Sequence, residues 1–387
     1  MKKIALFTDF SPISGGGSAN LRSWLPFLRQ SQVKWFHSGK GPVNYPSTCH
    51  LGDLTGSKSI WGDLIGFWRL WSLRRQAELQ VLLKPLLDEE PDAYWVVAYG
   101  AGVAVGHLLR TIKPDIPIHV SVHDDPEHGI FGRSRRYRLL SRLARQPMRE
   151  LLSAAKGIDV TSEGMQQYYR SIWEVNSEVL HPFVSTLPVP SFQPSGNGTL
   201  RIGHIGNIYS HEQFYSFLRG VGEYGRTHSA KVVLVIIGKM VRPVASFQAC
   251  LPADAQVEAL GDMDETRAVK ELGRCDFVHA AYPFNRRCRV FRTTSFQTKL
   301  STYVQAQRPI FAHTPMDSTL ANAVTRFQTG LVCPHSGVKA IARHVKMIKD
   351  TELRSERFEI FRDKIFGIHN VNLLENLLLQ AYEGTSC

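Results

Sequence analysis

FRTTSFQTKLSTYVQAQRPIFAH, residues Phe291 to His313, carries a polar loop, a helix and a strand in one short run. Arg292, Thr293 and Thr294 form the approach, and Ser295 stands where a helix N-cap is expected. Leu300, Tyr303 and Val304 then recur at helical spacing until Arg308-Pro309 stops the helix and Ile310-Phe311-Ala312 begins a strand. Thr298 and Lys299 fall at the start of that helix. Unpaired backbone N–H groups and the positive dipole end make such a start, with hydroxyls and a lysine beside it, a seat for phosphate. An ordinary capped helix with a solvated lysine has the same sequence signature.

Outward from this stretch, the second half of the chain alternates strands and helices. Leu200 to Ile208, Lys231 to Gly238, Gln256 to Leu260, Asp276 to Ala281, Arg308 to Ala312 and Leu331 to Cys333 read as strands, which predicts a parallel sheet covered on both faces. The first half repeats the scheme with Lys2 to Phe10, Val33 to His37, Ala93 to Tyr99, Pro117 to Asp125, Gly157 to Thr161 and Glu178 to Val184. Ser185 to Thr199, rich in proline and glycine, is the clearest linker. The expected division is a domain over 1–185, a linker over 186–199, a second domain over 200–368, and a last helix over 369–387.

Two loops of the first half hold candidate chemistry. The strand Lys2 to Phe10 runs into Gly15-Gly16-Gly17-Ser18 ahead of an amphipathic helix, an arrangement that lets backbone N–H groups approach an anion. It lacks the G-x-G-x-x-G spacing and the P-loop lysine, so a turn needed only for chain reversal fits as well. The strand ending at Asp125 leads into His123-Asp124-Asp125-Pro126-Glu127-His128, at the carboxyl end where parallel sheets place function. His123 is the first candidate for acid–base work, with Asp124 or Asp125 to orient or ionise a partner; Asp-Pro is also a common turn.

Composition bounds these readings. With 387 residues, 43% hydrophobic and 21% charged, the chain has room for two globular domains, and disordered or fibrous classes are excluded. Its six cysteines, Cys49, Cys250, Cys275, Cys288, Cys333 and Cys387, show neither C-x-x-C pairs nor metal-ligand spacing, which predicts free thiols in a reducing compartment and no metal centre. Ile4 to Phe7 is too short for a signal-peptide core, and no apolar run approaches the ~18 residues of a membrane span. The expected location is cytoplasmic, with peripheral contact at the inner membrane face. The net charge of +12 calls for an anionic partner, and without a nucleic-acid motif no nucleic acid is expected.

Two segments carry that charge or border it. Arg133 to Arg149 holds seven arginines and no acid, and on a helix Arg135, Arg138, Arg142, Arg145 and Arg149 form one stripe. Trp61, Trp68 and Trp71, with arginines beside them, suit either a core helix or a membrane interface. An anionic lipid surface, a lipid-linked diphosphate or an anionic polysaccharide would each meet the stripe.

Ser295-Phe296-Gln297-Thr298-Lys299-Leu300-Ser301-Thr302-Tyr303, followed by Gln307-Arg308-Pro309-Ile310, resembles the "F-P-(T/S)-K-(L)-x-E-Y … G-K-P-(V/I)" block of group 1 type nucleotide-sugar glycosyltransferases. The glycine-rich first loop, the H-D-x-P-like ending at His123, and Gly203-His204-Ile205-Gly206-Asn207 are similar to further segments of that family. The resemblance implies the GT-B fold, two Rossmann-like α/β domains facing a central cleft with the last helix returning to the first domain. It also implies transfer of a sugar, with retention of configuration, from a nucleotide-diphosphate sugar to a saccharide or lipid-linked acceptor in polysaccharide or glycoconjugate biosynthesis. No cofactor is expected beyond the co-substrate. On this resemblance Gly206, Lys239, Arg292, Thr298 and Lys299 hold the donor, Gly16, Gly17 and Ser18 line the acceptor or phosphate loop, and His123 and Asp124 serve catalysis without a metal. Two departures stand out. The family glutamate that commonly binds the donor ribose falls at Thr302, and the arginine and lysine expected just after Gly206 are absent from Ile208 to Glu212. A non-catalytic binding or partner-regulating scaffold would show the same departures, and a nucleotide-sugar epimerase or an inverting transferase would keep the two-domain fold with a different reaction.

Overall fold

The computed structural model describes residues 1–13, 15–39, 41–52, 54, 76–128, 138–185, 198–240, 242–351 and 354–383. Trp61, Trp68, Trp71, Arg135 and the linker at 186–197 lie outside the described residues, as do the side chains of Arg138 and Arg142. The chain divides into two compact units. The first comprises Met1–Phe183, Thr293–Ser295 and Ile368–Cys387; the second comprises Val184–Arg292 and Phe296–Gly367.

In the first unit the strands are β1 (Lys2–Thr8), β2 (Ser31–His37), β3 (Thr48–His50), β4 (Ala93–Val97), β5 (Ile118–Val122), β6 (Gly157–Val160) and β7 (Glu178–Val179). They form one sheet in the order β3-β2-β1-β4-β5-β6-β7, and every pairing is parallel. The helices are α1 (Gly16–Trp24), α2 (Gln76–Leu82), α3 (Lys84–Leu87), α4 (Ala101–Ile112), α5 (Arg138–Ala154) and α6 (Glu163–Trp173). Pro85 sits in the first turn of α3, where its missing N–H costs no helical bond. On one face Tyr94, Val96 and Val120 pack with Leu108, Leu151 and Met165; on the other Leu6, Trp35 and Trp95 pack with Leu21 and Trp24. Full burial of each such side chain contributes about 1.5–3 kcal/mol.

Strands β8 (Thr199–Ile205), β9 (Lys231–Ile237), β10 (Gln256–Gly261), β11 (Phe277–Ala281), β12 (Ile310–His313) and β13 (Gly330–Cys333) build the second sheet, in the order β10-β9-β8-β11-β12-β13. It too is parallel throughout. Helices α7 (His211–His228), α8 (Val244–Gln248), α9 (Glu265–Leu272), α10 (Arg289–Thr294), α11 (Lys299–Ala306), α12 (Thr319–Phe327), α13 (Val338–Lys349) and α14 (Ser355–Ile365) accompany it. The last helix, α15 (His369–Glu383), belongs to the first unit, where Val371, Leu374 and Leu378 pack against Leu6, Trp24 and Trp95. Two polar anchors fix it: Glu375 accepts from the Arg29 amide at 2.7 Å, and Asn370 accepts from the His181 amide at 2.9 Å.

Strand order reverses between β1 and β4 in the first sheet and between β8 and β11 in the second. Parallel sheets bind ligands beyond the carboxyl ends at such switch points. The loops after β1, β5, β8 and β9 are therefore where each unit's chemistry is sought. Among the described residues no helix is long and apolar enough to cross a membrane, and no group of three His, Cys, Asp or Glu side chains is arranged to hold a metal ion.

Candidate functional site

Three neighbouring strands of the second unit end in glycines with positive φ: Gly206 (74°) after β8, Gly238 (109°) after β9, and Gly261 (69°) at the end of β10. They are stitched by Gly206 N–H to the Ile237 carbonyl at 2.9 Å and Gly238 N–H to the Gly261 carbonyl at 2.8 Å. A Cβ at Gly238 would stand 3.4 Å from the Gly206 backbone, whereas one at Gly206 would meet nothing within 4 Å. The chain therefore turns away tightly and leaves open space above the end of β8.

Into this region reaches Lys299, the first residue of α11. Its Nζ donates to the Asn207 carbonyl at 2.9 Å and lies 5.3 Å from the centre of the Tyr209 ring. Lys299 keeps partial exposure as a residue, but packing around the ammonium lowers its pKa to about 7. Tyr209 is stacked on Tyr282 and meets the edge of Phe291, so the ring under the lysine is fixed. Helix α11 is itself pinned to the sheet through the Tyr303 hydroxyl, which accepts from Ile205 N–H at 3.2 Å and donates to the His279 carbonyl at 2.8 Å. Lys239 is exposed at the end of β9.

Two sequence expectations are corrected here. The N-cap of α11 is Thr298, which makes no side-chain cap bond, rather than Ser295. Ser295 Oγ instead donates to Asp124 Oδ1 at 2.6 Å. Arg292 does not offer a free charge: its Nε and Nη2 meet Asp317 Oδ1 and Oδ2 at 2.7 and 2.9 Å, and Nη1 donates to the Asn285 carbonyl. The arginine side chain is 7% exposed and that of Asp317 39%, and the hydrogen bonds of Arg292 hold the Asp317 carboxyl below its usual pKa against the opposing effect of burial. The carboxylate came from beyond the acid-free loop Pro283 to Arg292, out of reach of local reading. Replacing Arg292 with Ala is expected to destabilise the protein by about 2 kcal/mol, the cost of breaking a half-buried bidentate pair discounted for solvent screening. Urea unfolding would register the loss, while an unchanged donor KM would mark the role as structural.

A second carboxylate was also missed. Glu265, at the start of α9, accepts from Gln305 Nε2 at 2.8 Å and from Thr302 Oγ1 at 3.3 Å. A carboxylate thus stands beside position 302 although residue 302 is a threonine.

In the first unit, β5 delivers His123 against Phe10, ring centroids 6.3 Å apart and stacked, and against the edge of Trp24 at 6.4 Å. The residue is partly buried, but both ring nitrogens are inaccessible and neither has a hydrogen-bond partner among the described residues. Burial lowers its pKa to about 4, against a smaller upward pull from Asp159, so the imidazole is neutral near pH 7. Gly17 makes room for it: a Cβ there would come within 2.9 Å of Phe10 and 3.0 Å of His123 Nδ1. Gly16 opens α1, and Ser18 Oγ donates to the Ser11 carbonyl at 2.5 Å, closing the glycine loop.

Asp125 is 3% exposed and accepts from the His128 ring and amide and from the Tyr169 hydroxyl, the last at 2.7 Å. Burial alone would lower the His128 pKa, but the hydrogen bond and charge of Asp125, aided by Glu127, raise it. The Asp-Pro turn and a polar cluster therefore coexist, and no local pattern marks Tyr169, 44 positions on, as the partner.

No protein-family model matches the sequence, and no curated protein matches it. Solved structures do. A trehalose-6-phosphate synthase, OtsA, is 14% identical with a TM-score of 0.65, covering 98% of this chain and 99% of its own. The lipopolysaccharide outer core galactosyltransferase WaaB is 12% identical at 0.64, covering 97% and 99%. HepE of Anabaena, in complex with UDP and glucose, is 13% identical at 0.63, covering 98% and 100%. With two parallel-sheet α/β units and whole-chain likeness to these proteins, the chain has the GT-B fold.

Proposed function

We propose that the protein is a glycosyltransferase that takes a sugar from a nucleotide-diphosphate donor and passes it, with retention of configuration, to a saccharide or lipid-linked acceptor of cell-surface polysaccharide or glycoconjugate synthesis. The observation that carries this reading is Lys299, held by Asn207 over Tyr209 beside the open turn at Gly206. An ammonium at a helix start, next to backbone freed by glycine, is suited to a diphosphate. Lys239 and Thr298 complete the donor group. Glu265, anchored by Thr302 and Gln305, supplies the carboxylate for the ribose hydroxyls that position 302 lacks. In the first unit, Gly16, Gly17 and Ser18 shape the acceptor loop, and His123 hydrogen-bonds the reacting sugar as a neutral imidazole. Asp124, held by Ser295, lends negative charge nearby. Departing diphosphate charge is neutralised by Lys299 and Lys239 without a metal, so turnover is expected to survive EDTA. Similar folds that hold UDP put that nucleotide first among the donors to try.

The test is a thermal-shift screen with UDP, GDP, ADP, CMP and TDP, since a ligand that binds only the folded state raises its melting temperature. One nucleotide is expected to stabilise the protein, and Lys299→Met is expected to weaken it about 10- to 100-fold, the loss of one charge-assisted bond worth about 1.5–3 kcal/mol. Because Lys299 titrates at about 7 and a diphosphate favours its charged form, affinity should fall as pH rises from 6 to 9. A flat pH response in the wild type, or an unchanged affinity in the variant, removes Lys299 from the donor site. Failure of every nucleotide to bind folded protein would favour a scaffold without transferase activity.

A further inference from the structure

Helices α4, α5 and α6 of the first unit border an open groove of about 640 Å³, lined by Arg110, Arg145, Arg149, Glu150, Ile172 and Trp173 among others. Its charge is unbalanced. Arg110 donates to the Glu150 backbone carbonyl at 3.1 Å, not to a carboxylate. The Glu150 carboxylate is taken by Gln146 at 3.0 Å and faces His107 at 3.6 Å. Arg145 is 54% exposed and has Glu127 only at 3.9 Å, and Arg149 is exposed one turn further along α5. Among the described residues, three guanidinium groups thus line a groove whose single carboxylate is already engaged.

The far wall is aromatic and rigid. Trp173 stacks on Tyr169 with centroids 5.2 Å apart and planes at 12°, and Tyr169 is locked by its bond to the buried Asp125. Arginines at a helical step of four, which brings their forks together, offer bidentate donors to a phosphate. A fixed ring opposite them supports a sugar or apolar body. The groove volume lies within the range of small-molecule sites and is far larger than one phosphate needs.

We infer that this groove is a second anion site, which binds a phosphate-bearing ligand through Arg145, Arg149 and Arg110 with the ligand's ring or chain against Trp173. Nothing in this inference depends on the donor reading. The phosphate belongs either to a soluble sugar phosphate or to a lipid head group, and two assays on the full chain separate them. One titrates glucose 6-phosphate and inorganic phosphate by calorimetry at low and moderate salt. The other sediments the protein with vesicles of phosphatidylglycerol, with phosphatidylcholine vesicles as the neutral control.

Binding is expected in one assay, at least tenfold weaker in Arg145→Gln/Arg149→Gln, and weakened by salt. Both positions are exposed, so the double variant should keep the wild-type melting temperature, and it should keep wild-type nucleotide affinity. Lys299→Met should bind the groove ligand normally, which separates this site from the donor site. Soluble ligand with no vesicle binding assigns a sugar phosphate; the reverse assigns a head group. Binding in neither assay, or binding indifferent to the double variant, overturns the inference.

Discussion

Substituting Phe for His123 is expected to lower turnover by about 10²- to 10⁴-fold, the range for losing a positioned proton-transfer or polar catalytic group, while the fold stays intact or gains stability. The two effects have one cause. Both imidazole nitrogens are buried without a partner among the described residues, a state that costs about 1–3 kcal/mol per lost bond. A residue selected for packing would not hold such a group against Phe10 and Trp24, where an aromatic ring fits without penalty. Phe keeps those contacts and removes the orphaned atoms. With a pKa near 4, the imidazole is neutral throughout pH 5.5–8, so the deficit should be constant over that window. Turnover and melting temperature measured together decide the matter: wild-type turnover in the variant ends the catalytic assignment, and lower stability with normal turnover makes His123 a core residue.

The sheets were legible because a strand buried on both faces has to be a near-continuous apolar run. Ile4 to Phe7 and Val232 to Ile237 are such runs, and both proved fully buried. The short edge strand Thr48–His50 is only partly buried and carries no such run, so it went unread. The place of Lys299 at a helix start was legible from the local pattern. The partners that define the sites were not local. Ser295 finds Asp124 across 171 positions, Asp125 finds Tyr169 across 44, and Thr302 finds Glu265 across 37. Arg292 illustrates the converse error. The resemblance assigned its charge to the donor, and the fold supplied Asp317 from 25 positions further along the chain. Residue type shows what a side chain can do; only tertiary pairing shows whether it is free to do it.

The second unit carries a separate consequence of its sequence, an acid-labile core. His204, His279 and His313 sit on β8, β11 and β12 with exposures of 2%, 1% and 0%. His279 lies flat on Phe217 at 3.9 Å, and His204 Nδ1 meets the His279 carbonyl at 3.1 Å. Burial drives all three pKa values down, well below 6.5 for His204 and His279 and to about 4 for His313. In the unfolded chain each titrates near 6.5, so the unfolded state takes up protons first as pH falls. Stability is therefore fully present above 6.5 and lost below it, down to the folded values. At pH 5 His313, with its folded value at about 4, should cost about 2 kcal/mol, and His204 and His279 shift stability in the same direction, against the 5–15 kcal/mol typical of a domain. His128, whose pKa is raised, works in the opposite sense, stabilising below 6.5 and losing that contribution as pH rises through its folded pKa. Asp317, whose lowered pKa starts from 3.8, matters only at more acid pH. Urea midpoints should fall steeply between pH 7 and 5, and His279→Phe should reduce that slope by about one proton because the ring site remains filled by a group that does not titrate. A midpoint that stays level over this interval would mean that the three imidazoles find protonated-state partners in the fold, and that the buried histidines of the second sheet are not what limits its stability in acid.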